Sequence, residues 1–345
     1  MSLNSECTLD VRRRIKEAGI PLIGESKQFL GLLQVTERVA RHEAATVLIR
    51  GETGTGKDLI ARAIHYLSSR SAFPFVPVNC GALPETLAEN ELFGHRSGAF
   101  TGATRDTVGL VQLAHNGTLF LDEVDSLPPK CQVGLLRFLQ DGLFRPLGSS
   151  REQQVNVRVI AASNSCLESD VKTGRFRQDL YYRLNVLSLD VPPLRARRGD
   201  VGLLSEHFLS DCALQHSTGR KSLHPDTLQW FDRYSWPGNV RELRHLLYRE
   251  YLLCDDEQLR IQEVANETML TGDREESPSQ SLSGSETVHA SYRAAKSQAL
   301  EEFDRKYLAQ LLVQAHGNIT RAAQLAGKER RALGKLLKRY RMGPS

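Results

Sequence analysis

The chain has 345 residues, a formal net charge of +4, and ordinary shares of hydrophobic (40%) and charged (25%) side chains, which suits two or three domains around cores of full size. No run approaches the roughly 18 uncharged apolar residues of a membrane helix, and Met1 to Arg14 is polar and charged, so neither a membrane span nor a secretory signal is expected and the cytoplasm is the expected compartment. Six widely spaced cysteines without a C-x-x-C pair, and histidines without H-E-x-x-H spacing, give no ground for a zinc site or a disulfide framework.

Residues 1–20 read as a short charged lead. From 21 to 190, helical segments alternate with short apolar runs at Thr46 to Arg50, Phe75 to Asn79, Thr118 to Asp122 and Val157 to Ala162. That alternation predicts an α/β domain whose mainly parallel sheet is covered on both faces. After Val191-Pro192-Pro193-Leu194 the strand pattern stops. Helical periodicity over Val201 to Gln215, Pro225 to Tyr234 and Val240 to Cys254 predicts a smaller all-α domain over 191–265. Residues 266–290 turn to Ser, Thr, Gly, Glu and Pro with little to bury, the composition of a flexible linker. A last helical module occupies 291–345.

The first chemical signature follows the first strand. Thr46, Val47, Leu48 and Ile49 lead into Gly51-Glu52-Thr53-Gly54-Thr55-Gly56-Lys57, and a helical pattern begins at Asp58. The glycines let the backbone turn tightly and aim successive N–H groups inward, while the following helix directs its positive end at a bound anion. Lys57 adds a point charge for the β- and γ-phosphates. The generic phosphate loop places a Ser or Thr hydroxyl on Mg²⁺ after the lysine; here Asp58 stands in that place, a carboxylate able to hold the ion directly or through water. The second signature, Gly117 through Glu123, is an apolar strand ending in two acids. Asp122 is placed to hold Mg²⁺, and Glu123 to orient and deprotonate the attacking water. Together the two signatures predict an ATPase.

Between them lies Gly98-Ala99-Phe100-Thr101-Gly102-Ala103, preceded by Glu91-Leu92-Phe93-Gly94-His95. Glycine hinges around an exposed Phe suit a loop that moves with nucleotide state and meets a partner protein. With the nucleotide signatures in register around it, the hexapeptide makes residues 21 to 262 resemble the bacterial enhancer-binding proteins, AAA+ ATPases that activate sigma-54 RNA polymerase. The resemblance implies an AAA+ P-loop NTPase fold with an α-helical lid, and it assigns sigma-54 contact to Gly98, Ala99, Phe100, Thr101, Gly102 and Ala103.

It also implies individual roles. Asn79 matches the asparagine that restrains the catalytic glutamate, here Glu123. Ser163 and Asn164 match the sensor of the γ-phosphate, Arg241 matches the lid arginine that reaches the nucleotide, and Ile23 and Gly24 match the segment lining the adenine pocket. Arg177 and Arg183 match a pair that reaches a neighbouring subunit's nucleotide, work that suits a planar, permanently charged guanidinium; Arg175 reads as a surface salt bridge. Arginines acting in trans imply a ring, a hexamer when active, assembled from dimers. Leu127 to Cys131 matches a second mobile loop and takes no assigned contact.

From His316 to Arg341 there are eight Lys or Arg against one acid, Glu329, so positive charge gathers at this end. A capping Asn318, a turn at Ala326-Gly327 and a basic helix from Lys328 to Tyr340 form a helix-turn-helix pattern, similar to the Fis-type module that ends most enhancer-binding proteins. Arg330, Arg331 and Lys335 are placed for base edges, and Lys338 and Arg339 for the phosphates of double-stranded DNA. The expected function is a transcription activator that binds upstream DNA, assembles into a ring, and uses ATP hydrolysis to remodel the sigma-54 RNA polymerase holoenzyme. A DNA-binding repressor whose nucleotide site only controls assembly is the alternative, against which the intact hexapeptide argues. A protein remodeller with unrelated substrates and no sequence-specific DNA footprint is a third reading.

Overall fold

The computed structural model describes residues 3–100, 102–217 and 219–261, together with 315, 321 and 322. The chain divides into two units, Met1–Leu270 and Thr271–Ser345, and the fold below is that of the first. Thr101, the linker, and the DNA-contact candidates Arg330, Arg331, Lys335, Lys338 and Arg339 lie outside the described residues.

In chain order the first unit runs α1 (Leu3–Glu17), α2 (Lys27–Ala40), β1 (Val47–Arg50), α3 (Lys57–Leu67), β2 (Phe75–Asn79), α4 (Glu85–Phe93), and the short antiparallel pair β3 (Gly94–His95) and β4 (Thr107–Val108). There follow α5 (Leu110–Leu113), β5 (Thr118–Asp122), α6 (Pro129–Asp141), the ribbon β6 (Leu143–Phe144) and β7 (Gln153–Gln154), β8 (Arg158–Ser163), α7 (Leu167–Lys172), α8 (Gln178–Leu184) and β9 (Leu187–Asp190). The lid consists of α9 (Asp200–His216), β10 (Ser222–Leu223), α10 (Pro225–Arg233), α11 (Asn239–Leu253) and β11 (Gln258–Leu259).

Five parallel strands form one sheet in the order β2-β5-β8-β1-β9. Because successive strand residues point to opposite faces, the apolar runs build two cores. Val47, Ile49, Phe120, Ile160 and Ala162 pack on one face with α1, α2 and α3. Leu48, Leu119, Leu121, Val159 and Ala161 pack on the other with α4, α6 and α8. The sheet is covered on both sides, as the strand composition predicts.

Apart from the two-residue strands, two elements were not foreseen. The edge strand β9 is four residues long, with Leu189 buried and Asp190 exposed, and its alternation is too short to stand out from the helix before it. The short charged lead carries a helix: Val11 and Ile15, four residues apart, are buried against Phe29, Leu33, Ile60 and Ile64. Its stripe is hidden among arginines, and only tertiary burial reveals it.

The lid core forms around Trp236, which is fully buried with Nε1 donating to the Phe231 carbonyl at 3.0 Å. Phe231 and Tyr234 meet its ring edge-on at 5.1 and 5.0 Å, and Leu204, Leu243 and Leu247 close the cluster. The lid is helical as expected except for the two-residue pairing of β10 with β11.

Candidate active site

Parallel strands end at one edge of the sheet, where α/β proteins bind ligands. Here that edge gathers the loop after β1, the acids after β5, Asn164 after β8 and Asn79 at the end of β2. The loop from Gly51 to Gly56 wraps the start of α3. Lys57, at its first residue, donates from Nζ to the carbonyls of Gly51 (2.9 Å) and Glu52 (3.1 Å) and to Asn164 Oδ1. Asn164 Nδ2 in turn donates to Glu123 Oε1 at 3.1 Å. One amide therefore joins the phosphate-loop lysine to the candidate general base. Burial lowers the Lys57 pKa, opposed by the nearby Asp122 and Glu123 charges, and burial raises that of Asp122.

Glu123 sits in the left-handed region (φ +52°), and its N–H donates to Asp122 Oδ1 at 3.0 Å. Neighbours on a strand point to opposite faces; the reversed backbone lets both acids bear on Lys57. Asn79 pairs in register with Asp122 and lies beside Glu123: a Cβ on Gly81 would sit 2.4 Å from Glu123 Oε2 and 3.4 Å from Asn79 Oδ1. Its oxygen is engaged elsewhere, accepting from the Ala82 N–H at 3.1 Å. The asparagine bonded to Glu123 is Asn164, where the resemblance implied Asn79. Ser163 also departs from expectation. Its buried hydroxyl donates to Asp125 Oδ1 at 2.8 Å, which leaves Asn164 as the member of the pair at the phosphate side.

The lid closes over the loop. Gly54 (φ +78°) lies under the Gly238 carbonyl, which a Cβ would approach to 2.3 Å, so this position admits only glycine. Arg241 donates its N–H to the Gly54 carbonyl at 3.3 Å, and its guanidinium is near enough to depress the Lys57 charge. Glu52, read from sequence as a nucleotide contact, has its carboxylate in a latch instead. It accepts from Arg195 Nη1 at 2.8 Å and Asn239 Nδ2 at 3.1 Å, and these bonds, Arg195's the stronger, pull its pKa down to about 2. Fully buried Asn239 also donates to the Thr53 carbonyl (3.1 Å) and accepts the Leu194 N–H (2.8 Å). Thr55 turns its hydroxyl onto the Glu52 carbonyl at 2.8 Å, and Asp58 is exposed on the first turn of α3, acting on Asp122.

Ile23 and Gly24 are held from the lid as well. Arg197 Nη2 donates to the Ile23 carbonyl at 2.6 Å and pairs through Nε with Asp200 at 2.9 Å; Asp200 also accepts the N–H groups of Glu25 and Ser26 at 2.7 and 2.9 Å. Both partners of this ion pair are almost wholly buried. On the other side Arg12 of α1 donates to the Gly24 carbonyl at 2.8 Å, and a cleft of about 660 Å³ lined by Ile15, Ile20, Leu22, Ile23 and His207 adjoins it.

The hexapeptide stands on the β3–β4 ribbon between α4 and α5. Gly98 (φ +83°) and Gly102 (φ +99°) hold conformations that side chains disfavour, and the Gly98 N–H reaches the Ala103 carbonyl at 2.8 Å. Ala103 is buried, while Phe100 is 44% exposed with its ring 4.9 Å from that of His95. The loop base leans on a second segment: the Arg96 N–H bonds the Leu147 carbonyl at 2.9 Å, and Ala99 packs against Gly148.

Comparison with known proteins accords with this geometry. The family described as the Sigma-54 interaction domain matches residues 22–190, the AAA+ ATPase lid domain matches 195–281, and the Fis family of bacterial regulatory proteins matches 299–340. The transcriptional regulatory protein GlrR of Escherichia coli (strain K12) is 40% identical over 93% of this chain and 68% of its own length. The chain belongs to the sigma-54-dependent transcriptional regulators. The response regulator PilR of Pseudomonas aeruginosa is 42% identical over the same shares. The solved structure of NtrX from Brucella abortus in complex with ADP aligns at a TM-score of 0.68, with 33% identity, over 97% of this chain and 72% of that one.

In this member of the sigma-54-dependent regulators the two candidate trans arginines flank α8. Arg177, exposed at its N-cap, pairs with Asp179 through Nε at 3.0 Å and Nη2 at 2.7 Å. Arg183 donates to the carbonyls of Leu139 and Gln140 at the end of α6, at 3.0 and 3.3 Å. Arg175 pairs with Asp170, the salt bridge expected of it. Four residues that hold this regulator's site together, Arg195, Arg197, Asp200 and Asn239, escaped sequence reasoning. Apart from the Arg197–Asp200 pair their partners lie far away in the chain, and the local trace is no more than a charge triplet and a Gly-Asn pair before a helix.

Proposed function

We propose that this sigma-54-dependent regulator binds ATP at the loop from Gly51 to Lys57 and hydrolyses it to drive its Phe100–Thr101 loop against sigma-54, with the Fis-type module docked on upstream double-stranded DNA. The observation that carries the proposal is the Lys57–Asn164–Glu123 bridge. A γ-phosphate reaching Lys57 takes the place of the Asn164 oxygen, and Asn164, freed from the lysine, is able to swing the Glu123 carboxylate onto the attacking water. Hydrolysis undoes that arrangement. Arg241 follows the lid onto the phosphates, and Arg177 and Arg183 neutralise charge on the γ-phosphoryl group of a neighbouring protomer, which places the site at a subunit boundary and favours a hexameric ring built from dimers.

The donor set fits magnesium. Among the described residues no group of three or more His, Cys, Asp or Glu forms a protein cage. Mg²⁺ needs none, because it keeps waters and uses one or two carboxylates with the substrate phosphates. Asp122, half-buried with Asp58 acting on it, would supply the first carboxylate and Asp58 the second, and the ion would neutralise charge on the phosphoryl oxygens. The chain's own part is to hold Asp122 and Glu123 at one edge.

The test separates hydrolysis from its use. Glu123→Gln is expected to bind ATP with ordinary affinity and to lose turnover by about 10³-fold or more. Thr101→Ala is expected to keep turnover and to lose open-complex formation with sigma-54 holoenzyme in a reconstituted transcription assay. Unchanged transcription from Thr101→Ala, or hydrolysis surviving in Glu123→Gln, refutes the corresponding assignment.

A further inference from the structure

Gln132, on the first turns of α6, is 1% exposed and uses its whole amide on backbone groups. Nε2 donates to the Leu127 carbonyl (2.9 Å) and the Arg175 carbonyl (3.1 Å), while Oε1 accepts the Arg177 N–H (2.9 Å). Leu127 ends the turn Val124–Ser126 that directly follows Glu123. Arg175 and Arg177 flank Phe176, itself 2% exposed, in the loop before α8. A second hydrogen-bonded route joins the same two places. Ser163 Oγ donates to Asp125 (2.8 Å), the Ser165 N–H donates to Ser163 Oγ (3.1 Å), Ser165 Oγ donates to Asp170 (2.8 Å), and the Asp170 carbonyl accepts the N–H groups of Arg175 and Phe176 at 2.9 and 3.1 Å.

Losing the amide would leave buried backbone groups unpaired, so the loop before α8 has strong reason to follow α6 and the turn after Glu123. The Arg177 guanidinium, by contrast, is exposed. Its backbone is fixed and its charge is presented outward.

We propose that Gln132 is a positioning residue for Arg177, tying the place from which a protomer offers its arginine to the turn that follows its own Glu123. This rests on the reading of Arg177 as acting in trans, and it adds a physical link between the state of one site and the arginine offered to the next. Gln132 bonds Leu127, Arg175 and Arg177 rather than Lys57, Asp122, Glu123 or Asn164, so its loss should harm the neighbour's site and spare its own.

Mixing subunits tests this with the full chain. Gln132→Met keeps the side-chain length without the amide. It is expected to bind a fluorescent ATP analogue normally and to hydrolyse ATP about tenfold more slowly or worse, a cost that fits a misplaced catalytic group. Adding Glu123→Gln subunits, inactive alone but with intact arginines, is expected to restore turnover. Gln132→Asn keeps the amide's donors and acceptor on a shorter arm and is expected to lose less and to be rescued in the same mixture, so the test survives if the Met variant does not fold. Wild-type turnover in Gln132→Met, or a loss that Glu123→Gln subunits do not repair while they do repair Arg177→Ala, overturns the proposal alone. Failure to repair Arg177→Ala overturns the trans reading and the proposal with it.

Discussion

Asn239 holds a left-handed backbone (φ +52°) at the head of α11, a conformation that asparagine tolerates better than most residues. Its amide joins three segments: Glu52 and Thr53 of the phosphate loop, Leu194 of the connection to the lid, and the helix that carries Arg241. Asn239→Ala removes these bonds, leaves the buried Leu194 N–H unpaired and adds backbone strain, a combined cost of about 2–4 kcal/mol. The expected result is a lower urea midpoint together with weaker ATP binding, because Arg241 loses its placement. Asn239→Gly relieves the strain without restoring the bonds and should recover about 1 kcal/mol of that stability; equal stabilities for the two variants would show that strain plays no part. At this scale the sequence is an uneven guide. The glycine loop, Lys57 and the acids at 122 and 123 were legible because each motif is contiguous and its chemistry is local. The Asn239 latch and the Gln132 amide were not legible, since a buried polar side chain acquires its meaning chiefly from partners far along the chain, 43 or more residues away for Arg175, Arg177, Leu194 and Glu52.

Between elements, α3 meets β5 through His65, a buried imidazole whose Nδ1 lies 2.9 Å from Thr118 Oγ1 and whose ring tilts against Phe75 at 5.3 Å. Burial lowers its pKa, and the charges of Arg158 and Arg70 push the same way while the Phe73 backbone opposes them. The fold therefore holds the neutral ring. Above the ordinary histidine value of about 6.5 folded and unfolded chains are both neutral here, and the packing stabilises fully. As pH falls through that value the unfolded chain takes up a proton that the folded chain resists, so stability drops until the folded group also titrates. Urea unfolding at pH 7.5 and pH 5.0 should show wild type losing more stability between the two than His65→Asn, which keeps a polar partner for Thr118 and cannot titrate. A pH response identical in both proteins would place the effect elsewhere. Elements were as legible as their patterns were long. β1, β5 and β8 announce themselves by apolar runs buried on both faces, and β2 by an apolar run although it lies at the sheet's edge. β9 carries half of its residues to solvent, and α1 shows two buried contacts within an arginine-rich stretch.

At the scale of the whole molecule, the two arginines of the α8 region are bonded away from their own chain's phosphate loop. Arg177 is bonded to Asp179 and Arg183 to the carbonyls of Leu139 and Gln140. Among the described residues neither reaches the phosphate loop, Asp122, Glu123 or Asn164 of its own protomer. If these guanidiniums serve a neighbour, turnover per chain must depend on how many neighbours a chain has. ATPase activity divided by protein concentration should then rise steeply as protomers assemble, and level off once light scattering reports a closed ring. Arg177→Ala should assemble over the same range and stay near the low, dilute-limit rate, because removing a catalytic arginine costs about 10³-fold or more in phosphoryl transfer. Breaking the lid latch with Arg195→Ala gives the opposite pattern. That side chain meets Glu52 of its own phosphate loop, so ATP affinity should weaken at every concentration while the steep rise keeps its midpoint. Turnover per chain that stays constant on dilution well below the ring-forming range would mean that a single protomer supplies every charge its site needs, and the arginines of α8 would then require another role.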